Sequence, residues 1–191
     1  MFIHLHTHSH YSLLDGMPKI PDLVNRAKEL NMTALALTDH GTTYGLIEFY
    51  KECKKNDIKP ILGVEAYVAP RTRNDKESGV DSKAYHLVLL AKNEIGYKNI
   101  LKLTSIAHLE GFYYKPRVDK EVLKKYSEGL IGLSACLNGE VARALSSDNQ
   151  ETAERVLAEY KEIFGEDNFY LEVQPHTSTK NEDQKIVNSR M

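Results

Sequence analysis

The chain has 191 residues, 41% of them hydrophobic and 27% charged, with a formal net charge of −2. This length is sufficient for one domain with its own core. The sequence has no apolar run of 18 residues, so it predicts no membrane span. Its N-terminus lacks a basic region followed by an apolar stretch, so it predicts no secretory signal. The near-neutral charge gives no support for a general nucleic-acid-binding surface, and the two cysteines are far apart and in no CxxC spacing, which fits a reducing cytoplasm.

Apolar runs alternate with segments of helical periodicity along the chain. Strands are predicted at residues 2–5, 33–38, 60–68, 85–91, 129–134 and 168–173. Helices are predicted from Pro21, from Leu46, around Ile100, from Asp148 and over residues 181–191, and residues 71–83 and 111–119 are predicted to be irregular. Asp148 with Glu151 three positions later resembles a capping box. The repetition of strand and helix predicts an α/β fold with a mainly parallel sheet, either a closed barrel or an open sheet.

The first strand carries histidines at alternate positions, in the segment HLHTHSH. Side chains two apart in a strand share a face, so a regular strand would place His4, His6, His8 and His10 together. Burying several imidazoles costs free energy unless each finds a partner. We expect His6 and His8 to be functional and the outer two to be surface or supporting groups.

Other polar residues fall where predicted strands end. In a parallel α/β sheet this edge holds the ligand site. The candidates there are His6, His8, Asp15, His40, Glu65 and Cys136, and His86 is added although it begins its strand. Imidazole, carboxylate and thiolate together suit Zn²⁺, and imidazole with carboxylate also suits Mn²⁺ or Fe²⁺. Seven ligands exceed the needs of one tetrahedral ion, and two or three adjacent ions would favour phosphoester hydrolysis.

Each candidate also has an ordinary structural explanation. The TDHG segment containing His40 is also typical of a turn, His86 could be a core histidine, and Cys136 could be a small buried apolar residue. Glu65 is harder to explain this way, because a carboxylate between Val64 and Ala66 in an apolar strand needs a partner. The joint placement of these residues favours a metal site.

Seven motifs in this order resemble the PHP (polymerase and histidinol phosphatase) domain of bacterial DNA polymerase III α subunits. They are HLHTHSHYSLLDG, ALALTDHGTTYGLIEFY, IKPILGVEAYV, YHLVLLAKNEIGYKNILKL, GFYYKPRVD, GLIGLSACLNGEV and NFYLEVQPH. The resemblance covers essentially the whole chain. It implies a distorted (β/α)7 barrel, two to three divalent ions (Zn²⁺ or Mn²⁺, with Fe²⁺ and Mg²⁺ as further options) and a metal-dependent phosphoesterase or 3′→5′ exonuclease site able to proofread.

The resemblance also assigns residues. His6 and His8 match the first metal motif, Asp15 the carboxylate after it, His40 the TDH histidine, Glu65 the GVE glutamate and His86 the histidine of the HLVLLA strand. Cys136 lies where related phosphoesterases often carry a ligand histidine. The family's last motif, Asp-x-His, does not occur in this sequence, so residues 1–191 are expected to be a PHP domain truncated at its C-terminus, without its last strand and without the polymerase core.

The implied partners are primer–template DNA, the rest of the polymerase chain, and the proofreading subunit and sliding clamp of the bacterial replisome. Arg117 and Lys115 in KPRVD are candidate phosphate contacts, because guanidinium forks match phosphate oxygens; a surface salt bridge is the alternative. Two other functions remain open. The domain could be a non-catalytic brace of the polymerase, or a free-standing phosphatase of the histidinol phosphatase type.

Overall fold

The computed structural model describes residues 2–175 and 182–191. Its helices are α1 (Ile20–Glu29), α2 (Leu46–Lys55), α3 (Glu94–Leu109), α4 (Lys120–Lys125), α5 (Glu140–Ser146), α6 (Gln150–Phe164) and α7 (Glu182–Arg190). Its strands are β1 (Ala34–Leu37), β2 (Lys59–Val68), β3 (Tyr85–Ala91), β4 (Arg117–Val118), β5 (Leu130–Leu133) and β6 (Phe169–Tyr170). None of these helices is long and apolar enough to cross a membrane. The predicted α/β class is confirmed.

The strands form one mixed sheet in the order β1-β2-β3-β5-β6, with β4 paired to the end of β2. The pairs β1–β2, β2–β4 and β5–β6 are parallel, whereas β3 runs antiparallel to both β2 and β5. The prediction of a mainly parallel sheet is therefore wrong for β3. Residues 69–84 between β2 and β3 contain no helix, and a parallel crossover normally needs one to return the chain along the sheet.

The two faces of the sheet are separated by the alternation of side chains along β3. Leu87 and Leu89 join the main apolar core with α3, α5 and α6. Val88 and Leu90 point to the other face, where they form a smaller cluster. Glu65 is paired with Val88 across the β2–β3 ladder, and paired residues share a face, so this carboxylate projects from the face opposite the main core.

Helix α1 packs against β1 and helix α2 against β2, and the two helices pack against each other to enclose a second core. Ile20 and Val24 of α1 and Phe49 of α2 are fully buried there. Pro21 lies in the first turn of α1, where its missing N–H removes no intrahelical bond. This unit fixes the end of β1 and the segment that follows it.

Four local predictions differ from the structure, and one of them is the irregular segment predicted at 111–119, which contains β4. Residues 2–5 do not form a strand, although the segment lies beside β1 and the His4 carbonyl accepts from the Ala36 N–H. Just beyond it, the Thr7 carbonyl accepts from both the N–H and the hydroxyl of Thr38. The strand predicted at 168–173 is limited to β6. Helix α6 begins one residue later than predicted, because Asn149, whose side chain accepts from the Thr152 N–H at 3.0 Å, is its cap in place of Asp148.

The sheet is not a closed barrel within the described residues. β1 and β6 stand at opposite ends of the strand order. The predicted helix at 181–191 is present as α7, with residue 181 outside the described residues.

Candidate metal centre

Glu65 is the centre of a cluster of imidazoles. Its side chain is 1% exposed, and four histidine nitrogens approach its two oxygens. The distances are 2.6 Å from His40 Nδ1, 2.9 Å from His86 Nδ1, 3.3 Å from His6 Nε2 and 3.4 Å from His8 Nε2.

These side chains come from separate parts of the fold. His6 and His8 lie on the segment beside β1, and His40 follows β1 and forms a parallel bridge with Glu65. His86 is at the start of β3, which the antiparallel direction places beside the end of β2. His86 begins its strand, unlike the other candidates, and it still reaches the site because β3 runs antiparallel to β2.

Asp15 and Cys136 complete the set predicted from the sequence. Asp15 Oδ2 is 2.6 Å from His40 Nε2, with a side chain that is 61% exposed. Cys136 Sγ is 3.6 Å from His86 Nδ1 and 3.9 Å from Glu65 Oε1. The structure therefore brings all seven predicted ligands into one site.

Glu172 belongs to the same cluster and was missed in the sequence. Its Oε1 is 2.8 Å from His6 Nδ1, and its backbone N–H donates to Ser134 Oγ at 2.8 Å. Glu172 stands between Leu171 and Val173. The signal that singled out Glu65, an acid inside an apolar run, was therefore present here too.

The cluster shifts the acidity of its members. Burial opposes ionisation of Glu65, but the imidazoles of His40, His6 and His86 outweigh it and hold the pKa of this carboxyl far below its usual range. Burial alone would lower the pKa of His6, yet Glu172 and Glu65 together raise it to about 10. Burial lowers the pKa of His8. Burial and the nearby Glu65 carboxylate raise the pKa of Cys136 to about 11.

The donor set fits divalent metal ions. Glu65 Oε2 and His40 Nδ1 are buried and 2.6 Å apart, yet they are not aligned for a hydrogen bond. Glu172 Oε2 is also buried and has no hydrogen-bond partner among the described residues. Three overlapping groups each bring three donor atoms within 4.8 Å of one another. They are His6–His8–Glu65, His8–Asp15–His40 and His40–Glu65–His86. Shared donors of this kind are suited to adjacent ions rather than to one isolated ion.

The two predicted phosphate contacts have different surroundings. Arg117 is fully buried, and its guanidinium donates to the backbone carbonyls of Gly111, Asp81, Arg73 and Asp75. It is therefore neither a surface salt bridge nor a group available to a phosphate. Lys115 lines the site, with its ammonium 5.4 Å from the centre of the Tyr67 ring.

The cluster forms the floor of an open cavity of about 790 Å³. Lys115 and three exposed apolar side chains, Leu13, Leu14 and Tyr44, line the cavity together with the histidines. The site is accessible to a substrate larger than water.

The PHP domain family profile matches residues 4–176. The chain belongs to the PHP domain family. The match covers all seven predicted ligands and Glu172.

The chain is similar over its whole length to DNA polymerase III α subunits. It is 54% identical to that of Borreliella burgdorferi over 191 residues, covering all of this chain and 16% of that protein. It is 49% identical to the α subunit of Treponema pallidum over 176 residues, covering 92% of this chain and 15% of that protein. It is 47% identical to the α subunit of Helicobacter pylori over 201 residues, covering all of this chain and 16% of that protein. The chain thus spans about one sixth of the length of these relatives.

A solved structure from Bifidobacterium adolescentis supports the fold. That protein, which has been proposed to be a metal-dependent phosphoesterase, aligns with a TM-score of 0.58 at 15% identity over 98% of this chain and 82% of its own. At this identity the likeness concerns the fold alone.

Proposed function

We propose that this PHP domain belongs to a bacterial DNA polymerase III α subunit and hydrolyses the terminal phosphodiester at a DNA 3′ end, with two or three divalent ions. The observation that carries the proposal is the convergence of Glu65 and four imidazoles on the floor of an accessible cavity. Identities of 47–54% with α subunits support the assignment to that protein.

The residues that would hold the ions are His6, His8, Asp15, His40, Glu65, His86 and Cys136, joined by Glu172. When bound, the ions supply Lewis-acid activation of water and neutralise charge on the phosphate. Nitrogen and oxygen donors with one thiol favour Zn²⁺ or Mn²⁺ over Mg²⁺, which prefers oxygen ligands and retains its waters.

Residues around the cavity would position the substrate. Lys115 is the cation best placed to meet a phosphate oxygen, since the Arg117 guanidinium is already bonded to backbone. Tyr44 presents an exposed aromatic ring on which a terminal base could stack. Leu13 and Leu14 would cover the sugar of the same nucleotide.

In the intact protein we place this domain with primer–template DNA and the polymerase core in the bacterial cytoplasm, near the proofreading subunit and sliding clamp. An apolar groove lined by Ile61, Leu90 and Ile131 lies on the open face of the sheet. We propose that in the intact protein this sheet belongs to a distorted (β/α)7 barrel.

The test compares His8→Ala with His4→Ala in the full-length protein. Both histidines lie on the same segment, but His4 is exposed and outside the cluster. We expect His8→Ala to lower bound metal, measured by elemental analysis, and to slow hydrolysis of a 3′-labelled primer, while His4→Ala matches wild type. Equal metal content and equal hydrolysis in all three proteins would refute the proposal.

The same assay separates the alternatives. Metal that raises stability without any primer hydrolysis would indicate a structural brace of the polymerase. Rapid turnover of histidinol phosphate without action on DNA would indicate a small-molecule phosphatase.

A further inference from the structure

The Asp39 side chain ties the histidine segment to the end of β1 through Ser9 and Ser12, and its backbone carbonyl accepts from the Glu65 N–H at 3.1 Å. Its side chain is 2% exposed and accepts three hydrogen bonds, each 2.7 Å long. The donors are the Ser9 N–H, the Ser9 hydroxyl and the Ser12 hydroxyl. A buried carboxylate with three donors holds its neighbours in one arrangement, because leaving any of these groups unpaired is costly.

Ser12 has every hydrogen-bonding position of its hydroxyl in use. A hydroxyl has one proton and two lone pairs. The proton is directed to Asp39 Oδ1, and the His40 N–H, which can only donate, takes one lone pair at 3.0 Å. The remaining lone pair faces His8 Nδ1 at 3.1 Å. Ser12 is 1% exposed, so solvent does not compete for these positions.

This proton count determines the tautomer of His8. Since the hydroxyl has only a lone pair left, Nδ1 must carry the imidazole proton. In a neutral imidazole the other nitrogen is then an acceptor. That nitrogen, Nε2, is the one that faces Glu65 Oε2 at 3.4 Å.

We propose that Ser12 and Asp39 are positioning residues that fix His8 in the Nδ1–H tautomer and so present its Nε2 lone pair to a metal ion. Other histidines of the cluster meet carboxylates directly, His6 through Glu172 and His40 through Asp15. His8 meets its carboxylate through the Ser12 hydroxyl. The inference rests on the metal site proposed above, but the tautomer can be measured without metal.

The first measurement is the nitrogen spectrum of the full 191-residue chain, labelled with ¹⁵N-histidine and free of metal, at about pH 8, above the ordinary imidazole pKa of about 6.5. The His8 signals are assigned by their loss in His8→Gln. We expect a protonated Nδ1 and an unprotonated Nε2. The opposite tautomer in wild type would overturn the inference without any variant.

The second measurement is Zn²⁺ affinity by competition with a chelating dye. We expect Ser12→Ala to mix the His8 tautomers and weaken Zn²⁺ binding by about 10–100-fold, the usual effect of losing a group that orients a ligand. Ser12→Thr retains the hydroxyl and should restore the tautomer. The control is Ser105→Ala, which removes an exposed hydroxyl that donates to Leu101 O within α3. It should match wild type in both measurements.

The outcomes separate this inference from the proposed function. A Ser12→Ala chain with the wild-type tautomer and affinity would overturn the inference even if wild type binds Zn²⁺. A wild-type chain with the expected tautomer but no Zn²⁺ binding would remove the metal site and leave the tautomer assignment in place. If Ser12→Ala does not fold, the wild-type and Ser12→Thr spectra decide.

Discussion

At the scale of single residues, Glu65 has the most unusual surroundings in the part of the chain that the structure describes. A carboxylate that is 1% exposed is normally unfavourable in an apolar strand. Here the imidazoles of His40, His6 and His86 keep its pKa far below the usual range, against the effect of burial. The residue therefore stays ionised, which a shared metal ligand requires.

Replacing this carboxylate should remove the common ligand of the cluster. We expect Glu65→Gln to weaken Zn²⁺ binding by more than about 100-fold, beyond the range usual for residues outside the ligand set. Dye competition and elemental analysis measure the loss. Glu151→Gln, an exposed change in the first turn of α6, is the control. Wild-type affinity in Glu65→Gln would mean that the ions bind elsewhere.

At the scale of elements, the direction of β3 assembles the site. Tyr67 of β2 is paired with His86 of β3, so the start of one strand lies beside the end of the other. The connection between them, residues 69–84, is held by Arg117, whose buried guanidinium donates to four backbone carbonyls. This arginine stabilises the loop rather than a substrate.

Arg117→Met should therefore destabilise the fold. The change leaves several buried carbonyls without donors, and we expect a loss of about 3 kcal/mol or more in the free energy of unfolding. Urea denaturation measures it. Arg26→Met, on an exposed part of α1, should stay within about 0.5 kcal/mol of wild type. A similarly small effect at Arg117 would contradict the structural role.

The cap of α6 gives a second test at this scale. Asn149→Ala removes the acceptor of the Thr152 N–H and should cost about 1 kcal/mol. Glu151→Ala should change the free energy of unfolding by less than about 0.5 kcal/mol. With Asn149 as the cap, Glu151 is only two residues after it and is not in the position that a capping box requires. Denaturation curves of both variants decide between the cap seen in the structure and the one predicted from sequence.

At the scale of the whole molecule, the site joins segments that are far apart in sequence. His6 lies 166 positions from Glu172, and Cys136 lies 71 positions from Glu65. Ions held by these groups would link the N-terminal segment to β2 and β3, to the residues that follow β1 and β5, and to the residues after β6. Because the unfolded chain does not hold these groups together, metal should bind the native state selectively.

Metal should accordingly raise the melting temperature. At a free Zn²⁺ concentration 100-fold above the dissociation constant, mass action adds about 2.7 kcal/mol. For a chain of this size that corresponds to a rise of about 5–10 °C. Differential scanning fluorimetry with Zn²⁺ and then with excess EDTA measures the shift and its reversal. Glu65→Gln should show neither, and a full shift in that variant would contradict the assigned centre.

The sequence by itself determined the α/β class, most strand and helix positions and seven of the clustered side chains. These features are local: apolar periodicity sets the elements, and an acid such as Glu65 inside an apolar run signals a required partner. Glu172 carried the same signal. Its place in the cluster depends on residues after β6 returning to the first segment, which no local pattern specifies.

Only the tertiary structure decided strand direction, burial and donor geometry. The reversed β3 placed His86 in the cluster, and burial of Arg117 among backbone carbonyls removed a phosphate contact that its residue type had suggested. The tautomer of His8 likewise depends on Asp39, 31 positions away, through one hydroxyl of Ser12. Such properties depend on which groups meet across the fold, because a hydrogen bond or an ion site exists only when distant atoms reach bonding distance together.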